Sequence, residues 1–235
     1  MHDLRSFLQH LSRHRQLLEI DAPVDPVLES TTLSLRALRE GGPALLMNKA
    51  VGSPHAMLGN LFGHRRRIEL AIGDRPLASL HELGQLLASL KEPRWPSSLR
   101  EALHSWPELA QLAHVAPRQV DDAAFCEQVY EGDQVDLGRL PIQHCWPEDA
   151  GRLITFGLVI TRGVHQRRQN LAIYRQQVIG RNRVIMRWLA HRGGAQDYAS
   201  WQQAWPDRPF PVLVAIGADP ATMLAAVAPV PDTLS

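Results

Sequence analysis

The sequence predicts an α+β protein of two parts, an N-terminal α/β layer domain over residues 1–117 and a strand-rich second domain over residues 118–235. In the first part, helical patterns alternate with short strand patterns, which is typical of layered folds. From Val120 onward, adjacent strand patterns dominate and favour a barrel-like or sandwich arrangement. Repeated prolines over residues 91–118 indicate a connector, so we place the domain boundary near its end.

The ends of the first helices are marked by capping residues. Asp3 suits the N-cap of a helix that reaches about Arg15. Asp25-Pro26 suits the start of a second helix, and Gly41-Gly42 suits its end. The expected order is helix 3–15, strand 17–20, helix 25–40, strands 43–47 and 55–58, a helix that continues to 72, and a leucine-striped helix 77–90.

The densest basic run is His64-Arg65-Arg66-Arg67. It has two interpretations: a phosphate or nucleic-acid patch, or the solvated first turn of a helix that continues through Ile72. We favour the helical turn, because the chain has one such cluster and no aromatic platform beside it.

The clearest strand pattern of the second part runs from Leu153 to Thr161 and is mostly apolar and β-branched. Farther along, Gly180 and Asn182 suit the turn of a hairpin. The expected elements are strands 153–161, 170–179 and 184–189, a helix 197–205, a strand 212–217, and a helix through 226 that Asp219-Pro220 starts.

Residues 170–194, the hairpin and its flank, carry an unusual number of cationic side chains. Arg175, Arg187, His191 and Arg192 interleave with apolar residues along this stretch. Donors with positive charge suit an anion such as a phosphate. The alternative is an ordinary strand pair with one mixed, solvent-facing side. The charge pattern alone favours this ordinary strand pair.

Composition narrows the classes of protein to consider. The chain has 235 residues, 45% of them hydrophobic, and a net charge of +1, so no global field attracts nucleic acid or acidic membrane. No apolar run approaches the roughly 18 residues of a membrane span, and the N-terminus lacks the apolar core of a signal peptide. Cys126 and Cys145 form no CxxC motif and are expected to be buried free thiols. Together these features predict a cytoplasmic protein.

A second candidate cluster surrounds Cys145, with His144, Glu148 and Asp149 close in sequence. A Cys/His nucleophile pair is disfavoured because neighbours along a strand point to opposite faces. A zinc site is disfavoured because a second ligand pair at the usual spacing is missing. We therefore assign no chemistry to this cluster.

Several longer runs resemble the UbiD family of prenylated-FMN-dependent decarboxylases. The runs are NLAIYRQQ at 170–177, IMRWLAHRGGA at 185–195, CWPED at 145–149, ADPAT at 218–222, PVPDTLS at 229–235, GGPALL at 41–46 and LKEP at 90–93. They extend over essentially the whole chain, which makes the resemblance specific.

The resemblance implies a reaction, a cofactor and partners. The implied reaction is the non-oxidative decarboxylation of 3-polyprenyl-4-hydroxybenzoate to 2-polyprenylphenol in ubiquinone biosynthesis. The implied cofactors are prenylated FMN and Mn²⁺, with K⁺ as a second candidate cation. The implied partners are a flavin prenyltransferase that supplies the cofactor and further copies of the chain, without nucleic acid. A polyprenylated substrate also suggests a peripheral place at the inner face of the cell membrane.

The resemblance also assigns roles to residues. It implies that Asn170 and His191 bind the divalent metal, which bridges to the flavin phosphate. It implies that Arg175 additionally takes part in catalysis by orienting the substrate carboxylate through its bidentate fork. The positions implied to bind the prenylated flavin are Ile173, Tyr174, Arg175, Arg187, Trp188, Leu189, Arg192 and Gly193.

Ser235, the last residue, marks a departure from the family, whose members continue directly with a metal-binding glutamate. The expectation is a partial, C-terminally truncated split-β-barrel domain that binds prenyl-FMN, with the proton donor missing from this chain. The alternative function is a non-catalytic flavin- or phosphate-binding module, or an inactive fragment.

Overall fold

A computed structural model describes residues 3–82, 84–85, 123–164 and 168–228. Backbone proximity groups Met1–His81 with Asp136–Ser235 in one compact unit and Glu82–Val135 in another. The expected division near residue 117, the proline-rich connector and most of the expected helix 77–90 lie outside the described residues. The boundary at 117/118 therefore stays a prediction.

The first helix, α1, spans Leu4–Arg13 and confirms the expected cap. The Asp3 carboxylate accepts a hydrogen bond from the Ser6 amide at 2.7 Å, and the Ser6 side chain caps the Asp3 amide in return. Phe7 and Leu11 lie one turn apart on one face and are fully buried. They pack with Ala44 and Leu70 in the core of this part of the chain.

The first sheet has the order β1-β2-β3, with β1 at Leu17–Val24, β2 at Ala44–Ala50 and β3 at Met57–Gly59. β1 pairs with β2 in parallel, and β3 pairs with β2 antiparallel. Helix α2, Glu29–Arg39, connects β1 to β2. It ends just before Gly41, whose φ of +64° is the left-handed conformation that glycine adopts without strain.

The expected start of α2 at Asp25-Pro26 is wrong. Pro26 accepts a backbone hydrogen bond from the His144 amide, and the Leu28 amide donates to the His144 carbonyl. This bridge holds residues 26–28 in a non-helical conformation, with Leu28 at a φ of +64°, so the helix begins only at Glu29. The pairing partner lies more than a hundred positions away, and a local capping pattern cannot reveal it.

The basic run does start a helix, α3 at Arg65–Ala71, but one member of the run is not solvated. Arg67 is fully buried. Its guanidinium donates to the carbonyl oxygens of Leu61, Gly42 and Asn60, each at 2.9 Å. Burial lowers the pKa of this guanidinium from its usual value. Arg67 thus connects the loop segments whose carbonyl oxygens it binds, whereas Arg65 pairs with Glu69 at the surface.

The long strand expected over 153–161 is two strands in two different sheets. They are β4 at Leu153–Ile154 and β5 at Leu158–Thr161. The strand expected over 170–179 divides in the same way, into β6 at Asn170–Ile173 and β7 at Gln176–Gly180. β8 spans Arg183–Met186, and β9 spans Leu213–Ala215. One sheet has the order β4-β7-β8 and the other has the order β6-β5-β9.

Close packing at the bend explains the division. A Cβ atom on Gly157 would lie 3.0 Å from both the Gln176 side chain and Val214. Gln176 is itself fully buried and donates to the Tyr174 carbonyl oxygen at 2.6 Å. The two chain segments therefore change sheets together, which is the corner expected of a barrel-like or sandwich arrangement.

The remaining elements follow the expected order. β7 and β8 form an antiparallel hairpin whose turn lies at Arg181 and Asn182, as expected. Helix α4 spans Gly193–Ala204 and begins four residues earlier than expected. Helix α5 spans Pro220–Ala225 and confirms Asp219 as its N-cap. Met223 and Ala226 pack with Leu158 in the core beneath the third sheet. Within the described ranges, no helix has the length and apolarity needed to cross a membrane.

We expect Arg67→Met to lower the free energy of unfolding by about 3 kcal/mol, because three partly buried carbonyl oxygens would lose their donors. Urea denaturation followed by circular dichroism measures this change. Arg65→Met is the matched control, because its ion pair is largely exposed and should contribute only a small fraction of that amount. Equal midpoints for the two variants would contradict the assigned role of Arg67.

Candidate functional site

A cleft of about 890 Å³ lies between β6, the segment after β8, the start of α4 and the end of α5. Its volume is in the range of small-molecule and cofactor sites. All of the sequence-predicted site residues except Trp188 line it: Asn170, Ile173, Tyr174, Arg175, Arg187, Leu189, His191, Arg192 and Gly193. Ala226, Val227 and Ala228 form an apolar wall. The fold thus gathers these residues, while their roles stay predictions.

Trp188 lies in an aromatic cluster beside the cleft. Its ring centroid is 6.0 Å from that of Tyr174, 5.8 Å from Tyr198 and 5.9 Å from Phe210, all edge to face. Such pairs stabilise beyond the area that they bury. The structure therefore gives Trp188 a packing role against α4, and its direct contact with a cofactor stays a prediction.

Tyr174 connects the end of β6 to the first turn of α4. Its buried side chain accepts a hydrogen bond from the Gly194 amide at 3.2 Å. A Cβ atom on Gly194 would come within 3.2 Å of the same hydroxyl oxygen. The glycine therefore lets the helix approach closely, and the phenol satisfies one of the amides that a helix start leaves unpaired.

Asn170 is held by a polar chain that sequence reasoning missed. Its Nδ2 donates to Thr161 Oγ1 at 3.1 Å, and the Thr161 hydroxyl donates to Asp197 Oδ2 at 2.7 Å. A Cβ atom on Gly193 would overlap the Asn170 side chain. Glycine at 193 is thus required by the close approach of Asn170. Thr161 and Asp197 look ordinary in sequence, one within an apolar strand and one within a helix, so no local pattern marks them.

The electrostatic character of the cleft is positive. Arg175, Arg187, His191 and Arg192 are exposed at its rim, and none of its described lining residues is acidic. Helix α4 begins there, its N-cap residue Arg192 makes no side-chain cap, and its first turn contains no acid. The amides of a helix N-terminus carry partial positive charge. The cleft therefore suits an anionic ligand.

The predicted metal site needs side chains whose oxygen or nitrogen atoms can bind a cation. Among the described residues, no three His, Cys, Asp or Glu side chains come together. Asn170 and His191 do line the same cleft and offer an amide oxygen and an imidazole nitrogen. Mn²⁺ accepts such ligands together with phosphate and water oxygens. The residues present therefore fit part of a metal site that an anionic ligand would complete.

The cluster around Cys145 shows no sign of catalysis. His144 Nε2 lies 3.2 Å from the carbonyl oxygen of Asp149 rather than bonding to the thiol. Both cysteines are free thiols, as expected. The expectation of burial is wrong for Cys126, which is exposed, and Cys145 is only half-buried.

Family models match two segments of the chain. Residues 8–87 match the N-terminal domain of 3-octaprenyl-4-hydroxybenzoate carboxy-lyase, and residues 118–235 match the Rift-related domain of the same enzyme class. The second match covers half of the chain. The chain belongs to the UbiD family. The resemblance carried by the motifs is thereby confirmed, and so is the α+β fold.

Solved structures of UbiD-class enzymes share the fold. The enzyme HmfF from Pelotomaculum thermopropionicum in complex with FMN is 26% identical, with a TM-score of 0.71 over 98% of this chain and 46% of that one. An evolved dimeric form of HmfF in complex with prFMN is 26% identical, with a TM-score of 0.70 over 96% and 47%. The apo 3,4-dihydroxybenzoic acid decarboxylase from Enterobacter cloacae is 27% identical, with a TM-score of 0.69 over 94% and 43%. The chain thus spans a little under half the length of these proteins.

We expect Tyr174→Phe to lower the free energy of unfolding by about 1 kcal/mol, because the Gly194 amide would lose its buried acceptor. Thermal or urea unfolding measures the loss. Tyr198→Phe serves as the control, since Tyr198 belongs to the same aromatic cluster but is 43% exposed. If both variants unfold alike, the bond between Tyr174 and Gly194 does not secure this helix start.

Proposed function

We propose that the cleft binds the phosphate-bearing part of prenylated FMN together with a divalent metal. The observation that carries the proposal is the composition of the cleft: basic side chains, a helix start whose own N-cap residue makes no side-chain cap, and no acid among its described lining residues. Membership of the UbiD family and the FMN-bound and prFMN-bound states of HmfF support the choice of ligand.

In this proposal, the lining residues divide into two groups by chemistry. Asn170 and His191 hold the cation, and Arg187 and Arg192 donate to phosphate oxygens beside the start of α4. Charge-assisted hydrogen bonds of this kind are about twice as strong as neutral ones. Ile173 and Leu189 offer apolar contacts to the isoalloxazine ring.

The proposed reaction is the decarboxylation of an aromatic acid, and 3-polyprenyl-4-hydroxybenzoate is the proposed substrate. When bound, prenylated FMN supplies the electron sink for the electrons that remain when CO₂ leaves. Arg175 is exposed at the cleft rim, where its guanidinium is free to hold a carboxylate with two parallel hydrogen bonds. Because no acid lies among the described lining residues, another group delivers the proton to the product.

The proposed partners follow from the cofactor and the substrate. A flavin prenyltransferase would supply the cofactor, and the dimeric form of HmfF supports self-association. A polyprenyl tail favours approach to a membrane surface, because each buried methylene contributes about 0.8 kcal/mol.

A non-catalytic flavin- or phosphate-binding module is the second candidate. The lack of an acid among the described lining residues favours it, since binding needs cationic donors but decarboxylation also needs a proton donor. The two candidates share the cofactor and differ in turnover.

We expect the full chain, co-expressed with a flavin prenyltransferase, to be purified with a flavin absorption spectrum and with manganese. Arg187→Ala should lower the affinity for FMN by about tenfold, because one charge-assisted hydrogen bond is lost. Fluorescence titration of FMN measures the affinity. Arg39→Ala, an equal loss of charge on exposed α2, should change nothing. A folded chain that retains no flavin and no metal would overturn the binding proposal.

For the cofactor-loaded chain, Arg175→Lys should lower CO₂ release from the polyprenyl hydroxybenzoate by about two orders of magnitude, because an ammonium cannot form the bidentate pair that orients the carboxylate. Isotope-ratio detection of ¹³CO₂ from carboxyl-labelled substrate measures release. If the loaded wild-type chain releases none, the chain acts as a binding module. If the lysine variant matches wild type, Arg175 does not orient the carboxylate.

A further inference from the structure

Three polar side chains form a continuous hydrogen-bonded chain from the interior to the cleft. Thr161, the last residue of β5, is paired in register with Asn170, the first residue of β6. Asp197 approaches from α4 and is fully buried, as is Thr161 apart from 2% of its surface. The two hydrogen bonds, at 2.7 and 3.1 Å, link a strand pair and a helix at the point where Asn170 meets the cleft.

The Asp197 carboxylate sets which group donates and which accepts in these two hydrogen bonds. The Thr161 hydroxyl donates its single proton to Asp197 Oδ2, which accepts it. The lone pairs of that hydroxyl can then only accept, which orients the NH₂ group of Asn170 toward Thr161. The amide oxygen consequently turns away from Thr161 and lies against Gly193 on the cleft side.

Among the described residues, Asn170 Oδ1 accepts no hydrogen bond. Each hydrogen bond also shifts electron density from the acceptor to the donor group, from Asp197 through Thr161 to the Asn170 amide, so the amide oxygen at the end becomes a better ligand for a cation. The second oxygen of Asp197, Oδ1, is buried without a hydrogen bond to any described residue and forms a long ion pair with Arg168 Nη2 at 3.8 Å. A fully buried carboxylate with one hydrogen bond and one long ion pair is costly to maintain, which argues for a role beyond packing.

We propose that Thr161 and Asp197 are positioning residues that hold the Asn170 amide with Oδ1 turned into the cleft, ready to bind a divalent cation. The cation-directed part of this inference rests on the proposed function. The orientation of the amide stands on the geometry alone. Residues that orient a metal ligand in this way commonly change metal affinity by 10- to 100-fold when they are altered.

The test compares Thr161→Val, which removes the hydroxyl at nearly constant volume, with Thr161→Ser, which keeps it. The first readout is hydrogen exchange of the Asn170 side-chain amide in ¹⁵N-labelled full chain, assigned by its loss in Asn170→Asp. The exposed amide of Asn182 in the β7–β8 turn gives the unprotected reference. We expect exchange at least tenfold slower for Asn170 than for Asn182 in wild type and Thr161→Ser, and equal rates in Thr161→Val.

The second readout is Mn²⁺ affinity, measured on the same proteins by electron paramagnetic resonance. We expect Thr161→Val to bind about tenfold more weakly and Thr161→Ser to stay within about twofold of wild type. Thermal unfolding identifies any variant that is merely unstable. In that event the wild-type exchange rate still decides the orientation, because it does not depend on either Thr161 variant.

Each outcome bears on a separate statement. Fast exchange of Asn170 in wild type, or unchanged protection in Thr161→Val, would overturn the positioning role. If Thr161→Val loses the protection of the Asn170 amide but keeps its Mn²⁺ affinity, the connection between the positioning of Asn170 and the cation would be overturned. A wild-type chain that shows protection but binds no Mn²⁺ would overturn the metal part of the proposed function and leave the positioning of Asn170 intact.

Discussion

The cleft depends on the connection between the end of β6 and the start of α4. The Gly194 amide donates to the Tyr174 hydroxyl, and Gly193 lies against the Asn170 side chain. Glycine suits both positions, because a Cβ at 193 would overlap the Asn170 side chain and a Cβ at 194 would crowd the Tyr174 hydroxyl. The N-terminus of α4 is therefore held beside the strand residues that line the cleft. Without this approach, the basic residues would remain on separate elements.

A second constraint is the corner at which two chain segments change sheets. The turn between β6 and β7 places Tyr174 in the interior and leaves Arg175 exposed on the cleft side. Close packing of Gly157 against Gln176 fixes the same corner in the adjacent segment. In a continuous strand, the side chains of Tyr174 and Arg175 would also point to opposite faces. A continuous strand would not, however, bring the segment after β8 to the cleft.

The positive side chains of the site and its one buried carboxylate among the described residues lie at different depths. Cationic side chains lie at the exposed rim, and the carboxylate of Asp197 is buried behind Thr161. An anion can therefore bind at the rim without facing a negative group, while the buried charge acts through hydrogen bonds. This arrangement agrees with the UbiD family assignment and with the anionic, phosphate-bearing cofactor proposed here.

Patterns that depend on near neighbours were readable from the sequence alone. The caps at Asp3 and Asp219, the hairpin turn around Asn182, and the cluster of site residues between 170 and 193 all follow from local chemistry or from contiguous motifs. The α+β class and the family could be predicted for the same reason. These features need no knowledge of how distant segments meet.

Only the tertiary structure decided the features that depend on distant partners. The bridge between Val27 and His144 delays α2, the burial of Arg67 depends on carbonyl oxygens from other loops, and the corner at Gly157 divides two apparent strands. Thr161 and Asp197 lie far apart in the chain, and their connection to Asn170 exists only because a helix packs against a strand pair. Sequence determined which groups could serve the site, and packing decided which of them meet.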